Sequence, residues 1–312
     1  MNRSTFLRAA SAAVAVTASM SLLAACGGGG DDDAAKAAPA ADAAKAGDRG
    51  AEATAFTATH VGGPTTVLEI GGARLLLDPT FDEPKKYKSG LEKKQGPAFG
   101  PEKLGRIDVV LLSHDQHDDN LDDKGRALLK DIPVVLSTPG AHKRLGKHVT
   151  GMRSWSSKNV KTSRGSVKVT AVPALHGPDG VDRGADGEVT GFLISGKGVP
   201  TTYVSGDNAS VEVARKAGDR IKKRFGPIDT AVLFAGAART PAILDNAPLT
   251  LTSKNAARVA KDLDPRKVVA VHTDSWNIYS EDMASLVKAF KDQGVDDKLV
   301  DLEPDGEAKD LS

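Results

Sequence analysis

The sequence predicts an α+β fold in which two β-sheets pack together and helices cover their outer faces. Three observations lead to this prediction. Short β-rich runs occur in both halves of the chain, helical patterns lie between them, and no repeat of short fixed period is present. The 312 residues, 40% of them hydrophobic and 4% aromatic, suffice for one substantial domain or two small ones.

The charge of the chain is nearly balanced, with 42 basic and 41 acidic residues and a formal net charge of +1. Proteins that bind nucleic acid usually carry a basic patch or stripe, and this composition gives no such signal. After residue 30 no apolar run is long enough to span a bilayer. We therefore expect no nucleic-acid partner and no membrane span beyond the N-terminal segment.

The first 25 residues have the features of a bacterial export signal. Two arginines precede an apolar, Ala-rich run over residues 9–25. The run ends in Leu23-Ala24-Ala25-Cys26, which resembles the lipobox of bacterial lipoproteins. This predicts a signal peptide over residues 1–25 and a lipidated Cys26 that tethers the exported protein to the cell envelope, facing periplasm or exterior. The alternative is an ordinary secretory signal whose last residue is Cys.

Residues 26–54 form a low-complexity segment rich in Gly, Ala and Asp, which predicts a flexible tether. We expect the folded domain over residues 55–304 and a C-terminal tail over residues 305–312. Cys26 is the only cysteine in the chain, which excludes an intramolecular disulfide and a thiolate zinc cluster.

The predicted domain begins with three short antiparallel strands, residues 55–60, 65–70 and 73–77, separated by turns that contain paired glycines. A polar loop rich in Lys, Pro and Gly follows over residues 80–101. Loops of this length in compact domains are often functional lids. The Lys-rich part of the loop, residues 85–94, is expected to be solvated.

Strands and helices alternate in the rest of the domain. Apolar or alternating runs predict further strands at residues 107–113, 134–137, 160–162, 167–172, 189–195, 201–205, 230–234, 268–271 and 299–302. Helices are predicted at residues 122–130, 140–146, 211–225, 252–263 and 280–293. Thr252 or Ser253 is the expected N-cap of the fourth helix, Ser280 caps the fifth, and Gly294 ends it.

Four predicted strands run into histidines or aspartates. These residues are His117 with Asp119, then His176, Asp207 and His272. If the strands lie in two packed sheets, their ends can converge along one edge. Imidazole nitrogens and carboxylates without sulfur suit zinc or a comparable divalent metal such as iron or manganese. The sequence therefore predicts a centre for one or two metal ions.

The order of these residues resembles the metallo-β-lactamase fold superfamily, and in particular its lactonase-like and phospholipase D-like metallohydrolases. The motifs that carry the resemblance are Gly62-Gly63-Pro64-Thr65 with Leu76-Leu77-Asp78-Pro79, Leu112-Ser113-His114 through Asp122, Val172 through Pro178, Ser205-Gly206-Asp207, and Val271-His272 with Trp276. The resemblance covers nearly all of residues 57–304. The resemblance implies a four-layer αββα sandwich with the metals at one edge of the two sheets. It also implies a hydrolase in which a metal-bound water cleaves a phosphodiester, lactone or other ester.

The first histidine motif departs from the usual family form, His-x-His-x-Asp-His. If Asp119 holds the motif's Asp position, His117 is its second His, Asp115 replaces its first His and Asn120 replaces its last. We favour this register because it keeps His117 and Asp119 together. Since Asn is a weak ligand for zinc, one ion and two ions both stay open, with Mn or Fe as alternatives to Zn.

A second register of the same motif makes His114 the first His. Gln116 then replaces the second His, and Asp118 becomes the acid. In the favoured register His114 falls one residue too early, and it coordinates only if the loop bulges.

The resemblance also implies roles for the other residues. His176 resembles the third ligand of the first metal, Asp207 the bridging carboxylate and His272 the last ligand of the second metal. Asp119 would orient the water and is the candidate general base. Asp78 resembles the acid that family members place beside a ligating His.

These observations predict a lipid-tethered, metal-dependent hydrolase that acts on a small-molecule or lipid-like ester. The departures at Asp115 and Asn120 motivate an alternative, a non-catalytic binding lipoprotein on a degenerate hydrolase fold. Redox chemistry at an iron pair is a third hypothesis, without a flavin domain to support it. Trp276 is either a wall of the substrate pocket or part of the core.

Overall fold

The computed structural model describes residues 55–162, 164–181 and 184–312. The predicted signal peptide and tether, including Cys26, lie outside the described residues. Among the helices of the described part, none is both long and apolar enough to cross a membrane.

The described residues form fifteen strands and five α-helices. In chain order the strands are β1 (Thr57–Gly62), β2 (Thr65–Ile70), β3 (Ala73–Leu77), β4 (Lys85–Lys86), β5 (Glu92–Lys93), β6 (Val109–Leu111), β7 (Val135–Ser137), β8 (Val149–Gly151), β9 (Ser157–Lys161), β10 (Ser166–Pro173), β11 (Thr190–Gly196), β12 (Val199–Val204), β13 (Thr230–Phe234), β14 (Lys267–Val271) and β15 (Ala308–Asp310). The helices are α1 (Asp123–Leu128), α2 (Pro139–Leu145), α3 (Val211–Phe225), α4 (Ser253–Leu263) and α5 (Met283–Gln293).

Two large sheets contain all of the strands except the small β4–β5 ribbon. The first sheet has the order β15-β1-β2-β3-β6-β7-β8, and the second has the order β14-β13-β12-β11-β10-β9. Strands β1 to β3 pair antiparallel as predicted, while β3, β6, β7 and β8 are parallel. In the second sheet β12, β13 and β14 are parallel, and the pairs from β9 to β12 are antiparallel.

Alternation along the strands produces three separate apolar layers. In β13, Val232 faces the other sheet while its neighbours Ala231 and Leu233 pack against α3, α4 and α5. In β3, Leu75 and Leu77 face the second sheet, and Leu76 between them packs on the opposite side. Because side chains of a strand alternate between its faces, each sheet is buried on both sides. This is the predicted four-layer αββα sandwich.

The structure differs from the prediction at both short edge strands. Strand β8 was not predicted, and residues 299–302 form only a single parallel bridge, between Leu299 and Val268. Instead β15, within the segment predicted as a tail, pairs antiparallel with β1. Leu311 next to β15 is fully buried, and its N–H donates to the carbonyl of Phe56. One buried apolar side chain in a polar segment gives no detectable period.

Helix capping agrees with the prediction for α4 but not for the start of α5. The Thr252 hydroxyl accepts from the N–H of Asn255, as expected of an N-cap. Helix α5 begins at Met283, because Asp282 accepts from the N–H of Ser285, while Ser280 donates its hydroxyl to the carbonyl of Ala237. The predicted cap was therefore wrong by two residues. Gly294 ends the helix at φ +66° as expected.

Candidate metal centre

The ligand-like residues all follow strands of the two packed sheets. The loop after β6 contributes His114, His117 and Asp119, and the residues after β10, β12 and β14 contribute His176, Asp207 and His272. Their ligand atoms form two groups that share the Asp207 carboxylate, and within each group these atoms lie within 4.8 Å of one another. The predicted convergence at one sheet edge is present.

The first group consists of three imidazoles and one carboxylate, from His114, His117, His176 and Asp207. His117 Nδ1 lies 2.8 Å from His114 Nε2 and 3.2 Å from His176 Nε2. His176 Nδ1 faces the carbonyl oxygen of Leu249 at 2.8 Å. A backbone partner on the far nitrogen is the usual arrangement that fixes the ring of a metal-ligating His.

The second group consists of Asp119, Asp207 and His272, all of them buried. His272 Nε2 lies 3.3 Å from Asp119 Oδ2 and 3.5 Å from Asp207 Oδ1. Neither His272 Nε2 nor Asp119 Oδ1 makes a hydrogen bond, although both atoms are buried. Unpaired buried polar atoms are costly and rare in proteins. A cation between these groups would satisfy them, so the residues present fit a divalent metal of the type that prefers nitrogen and oxygen ligands.

The structure contradicts the part of the favoured register that gave Asp115 the place of the first His. Both oxygens of Asp115 accept hydrogen bonds from the guanidinium of Arg144 in α2, at 2.6 to 3.0 Å. His114 occupies the centre instead, next to His117. His114 therefore lies among the ligand-like residues although it falls one residue too early for the family motif, and the Asp115 side chain pairs with Arg144 instead.

Asn120 belongs to neither ligand group and instead connects two acids. Its amide nitrogen donates to Asp207 Oδ1 at 2.8 Å and to Asp78 Oδ2 at 3.0 Å. Asp78 also accepts from the N–H and the hydroxyl of Ser113, both at 2.6 Å. The Ser113 hydroxyl lies 3.0 Å from His114 Nδ1, so Asp78 supports this ring through Ser113.

Two unusual backbone conformations place the last two ligands. Gly206 has φ +56°, and a Cβ at this position would lie 2.5 Å from the carbonyl oxygen of Thr190. Only glycine satisfies both conditions just before Asp207. His272 itself has φ +66°, and its N–H donates to the carbonyl of Gly63 at 2.8 Å. Strain of this kind in a residue other than glycine, typically about 1–3 kcal/mol, is concentrated at functional sites.

Tyr279 is a site residue that the sequence did not indicate. Its ring packs on the imidazole of His272 with centroids 4.2 Å apart, and its hydroxyl donates to Asp119 Oδ2 at 3.3 Å. The other Asp119 oxygen remains available to the centre. The only sequence signal is an aromatic residue shortly after a ligand-like His, in a chain with three tyrosines.

Trp276 belongs to the core and not to the wall of the cavity above the centre. It is buried, and its ring lies 5.3 Å from the ring of Tyr87 and 5.3 Å from the ammonium of Lys93. Lys93 is buried as well, at 2% exposure, so the expectation of a solvated segment over residues 85–94 is wrong at this position.

Burial and neighbouring charges shift the carboxyl groups of the centre in opposite directions. Burial, together with the charge of Asp207, raises the pKa of Asp78 to about 7. Burial likewise raises the pKa of Asp207 to about 6. Burial acts in the same direction on Asp119, but its interaction with His272 outweighs burial and lowers the pKa of this acid. The centre therefore combines one carboxyl group whose pKa is lowered with two whose pKa is raised.

We expect the metal-free protein to be more stable at pH 5 than at pH 8. The folded state holds protons on Asp78 and Asp207 up to about pH 7 and 6, while the unfolded chain releases them near pH 3.8. Between these values the folded state binds more protons, so the free energy of unfolding falls as the pH rises. Calorimetric melting temperatures of metal-free protein at the two pH values measure the effect.

The Asp78→Asn variant is the control for this prediction, because it removes the group whose pKa is raised furthest. Its melting temperature should depend less on pH between 5 and 8. A wild-type melting temperature that is higher at pH 8 would contradict the prediction.

Comparisons with known proteins agree with the fold. A family model described as "Beta-lactamase superfamily domain" matches residues 73–273. A protein of Anaeromyxobacter sp. (strain K) named "metal-dependent hydrolase" is 29% identical over 217 residues, which are 66% of this chain and 70% of that protein.

Two solved structures share the fold over most of the described chain. Isothiocyanate hydrolase from Delia radicum gut bacteria aligns with a TM-score of 0.65 and 22% identity, over 81% of this chain and 98% of that one. A possible metal-dependent hydrolase from Veillonella parvula DSM 2008 aligns with a TM-score of 0.67 and 18% identity, over 82% and 99%.

The family match covers more than half of the chain and includes both ligand groups as well as Asp78. The two packed sheets and their helical layers are consistent with this match. The chain therefore belongs to the β-lactamase superfamily, as its sequence motifs predicted.

Proposed function

We propose that this protein is a metal-dependent hydrolase that holds two divalent cations, preferably zinc, and cleaves a small-molecule or lipid-like ester, with lactones and phosphodiesters included. The observation that carries the proposal is the shared Asp207, which joins two ligand groups at a single sheet edge. Relatives of 24–29% identity named as metal-dependent hydrolases support the reaction class. The resemblance of the sequence motifs to lactonase-like and phospholipase D-like members supports the choice of substrate classes.

Each of the two ligand groups would hold one of the two cations. The residues that would hold them are His114, His117, His176 and Asp207 for the first, and Asp119, Asp207 and His272 for the second. A bound divalent cation polarises the scissile bond and lowers the pKa of a coordinated water to about 7. Mn or Fe would suit the same nitrogen and oxygen ligands.

Asp119 is the residue that we assign as general base. The Tyr279 hydroxyl donates a hydrogen bond to one oxygen of Asp119, and the other oxygen makes no hydrogen bond although it is buried. The lowered pKa keeps this carboxylate ionised at neutral pH, so it can orient a water and accept a proton from it. Asn120 has a separate task, because its amide holds Asp207 and Asp78 in place.

Metal content and hydrolysis, measured together, test this proposal. We expect about two ions per chain by mass spectrometry of the purified protein, and activity on at least one of three classes, namely simple esters, lactones and phosphodiesters. His176→Ala should lose bound metal and at least about 100-fold in kcat/KM, since even residues behind a ligand typically cost 10–100-fold. The matched control is His142→Ala. His142 lies in α2, and its ring faces the carbonyl oxygen of Val149 in β8.

Two results would contradict the proposal in different ways. Absence of bound metal, together with no loss of activity in His176→Ala, would exclude a metal-dependent hydrolase. Tight metal binding without hydrolysis across the panel would favour the non-catalytic binding protein.

We also propose that the protein is exported and anchored at the cell envelope through Cys26. The apolar run and the lipobox-like tetrapeptide support this localisation. Fractionation of cells that express the wild type or Cys26→Ser tests it. The wild type should sediment with membranes and the variant should not, and equal distribution of both would contradict the anchor.

A further inference from the structure

A small cavity of about 110 Å³ opens above the centre. Apart from the candidate metal ligands, its walls come from the loop that was predicted as a lid, from the histidine motif and from the segments after β13 and β14. These wall residues are Ser89, Leu91, Gln116, Ala238, Thr240, Ile243, Leu249 and Ile278. Five of the eight are apolar, and the other three carry a neutral hydroxyl or amide.

Apart from His117 and His176, which belong to the centre, the lining of the cavity as the structure describes it contains no basic side chain. The cations nearby in the chain have other partners. Arg144 forms its ion pair with Asp115, and Lys93 forms one with Asp122. Arg239, between two wall residues, donates to the carbonyl of Asn246 and to the Ser280 hydroxyl.

An apolar wall without a cation discriminates strongly between substrate groups. A short alkyl chain gains free energy when it leaves water and contacts Leu249 and Ile278. A carboxylate or phosphate on the same chain would lose its hydration without an ion partner, which is far more costly than burial of a neutral polar group.

We propose that the substrate presents a short, uncharged aliphatic group to this cavity, and that Ile243, Leu249 and Ile278 select it. This inference builds on the proposed hydrolase function and narrows its substrate class to neutral short-chain esters and lactones. Substrates with an anionic group at the same position are disfavoured because the apolar wall offers the anion no ion partner, and not because of the metal centre.

A matched pair of substrates tests the proposal on the metal-loaded protein. The p-nitrophenyl esters of butyric acid and of succinic acid have the same leaving group and the same chain length, but a carboxylate replaces the terminal methyl in the second. We expect kcat/KM for the butyrate to exceed that for the hemisuccinate by at least about 100-fold. Equal values, or a preference for the hemisuccinate, would overturn the proposal and leave the hydrolase function intact.

A pair of variants separates charge from size. Ile243 is half-buried on the wall, so polar substitutions there are compatible with folding. Ile243→Lys should reduce the preference for butyrate by at least about tenfold, because the ammonium pairs with the carboxylate of the hemisuccinate. Ile243→Gln introduces a neutral side chain of similar length and should not favour the hemisuccinate. The proposal fails if the two variants show the same ratio of kcat/KM for the two esters.

Binding to the metal-free protein provides a readout that does not depend on hydrolysis. We expect butyramide to shift the methyl resonances of Ile243, Leu249 and Ile278 in NMR spectra, and succinamate at the same concentration to leave them unchanged. If no ester is hydrolysed but these shifts appear, the cavity assignment stands and the hydrolase proposal fails. If succinamate shifts them as strongly as butyramide does, the cavity assignment fails.

Discussion

Replacement of Asp207 by Ala is expected to remove most of the bound metal and to lower kcat/KM by more than about 100-fold. Asp207 is the only residue that belongs to both ligand groups of the described chain, so its loss affects both cations at once. It is 1% exposed, and the Asn120 amide donates a hydrogen bond to its Oδ1. Metal analysis and steady-state kinetics of the purified variant measure both effects.

Two further variants distinguish a bridging role from a general loss of structure. His272→Ala removes a residue of the second group only, so its metal content should fall from about two ions to about one. Asp229→Ala is the control, because Asp229 pairs with Arg266 at the end of β13 that lies away from the centre. The bridging role would be wrong if Asp207→Ala kept as much metal as His272→Ala.

Replacement of Lys93 by Ala is expected to lower the free energy of unfolding by about 3–5 kcal/mol. Lys93 Nζ lies 3.2 Å from Asp122 Oδ2 and 3.1 Å from the carbonyl oxygen of Thr80, and both charged side chains are at most 2% exposed. Burial lowers the pKa of Lys93 and raises the pKa of Asp122, which shows how strongly water is excluded from the pair. The variant leaves Asp122 as an uncompensated buried charge.

Urea denaturation of the metal-free protein measures this loss without a contribution from metal binding. Lys288→Ala is the matched control, because Lys288 pairs with Asp292 on the exposed surface of α5. Such exposed pairs contribute about 0–1 kcal/mol. If the two variants differ by less than about 1 kcal/mol, the buried pair does not stabilise the fold as we expect.

The parts of the fold that the sequence predicted well are those with a strong local pattern. Helix α3 and strand β13 have the predicted boundaries, since an amphipathic period or a continuous apolar run defines them without reference to other segments. Strands β8 and β15 were missed for the opposite reason. Each has three residues in a polar segment, and its conformation depends on a partner strand that lies elsewhere in the sequence.

The candidate site likewise contains residues that the sequence predicted and residues that it did not. His176, Asp207 and His272 could be found because each follows a recognisable strand. The place of His114 could not, because no local pattern shows that the neighbouring Asp115 pairs with Arg144, 29 residues further along the chain. The contact between Tyr279 and Asp119 likewise joins residues 160 positions apart, and no pattern within either segment encodes it.

Strand β15 extends the first sheet by pairing with β1, and Thr57 lies opposite Asp310 while Thr59 lies opposite Ala308. These strands come from opposite ends of the domain, so β1 leaves the ribosome long before its partner exists. At about 5–20 residues per second, synthesis of the intervening chain takes on the order of 10–50 s. During that time the outer hydrogen-bonding groups of β1 are unpaired, and an open edge of this kind is a template for association with other chains. In the sheet that carries His114 and His117, the edge formed by β1 therefore stays exposed to edge-to-edge pairing until residue 310 has been synthesised.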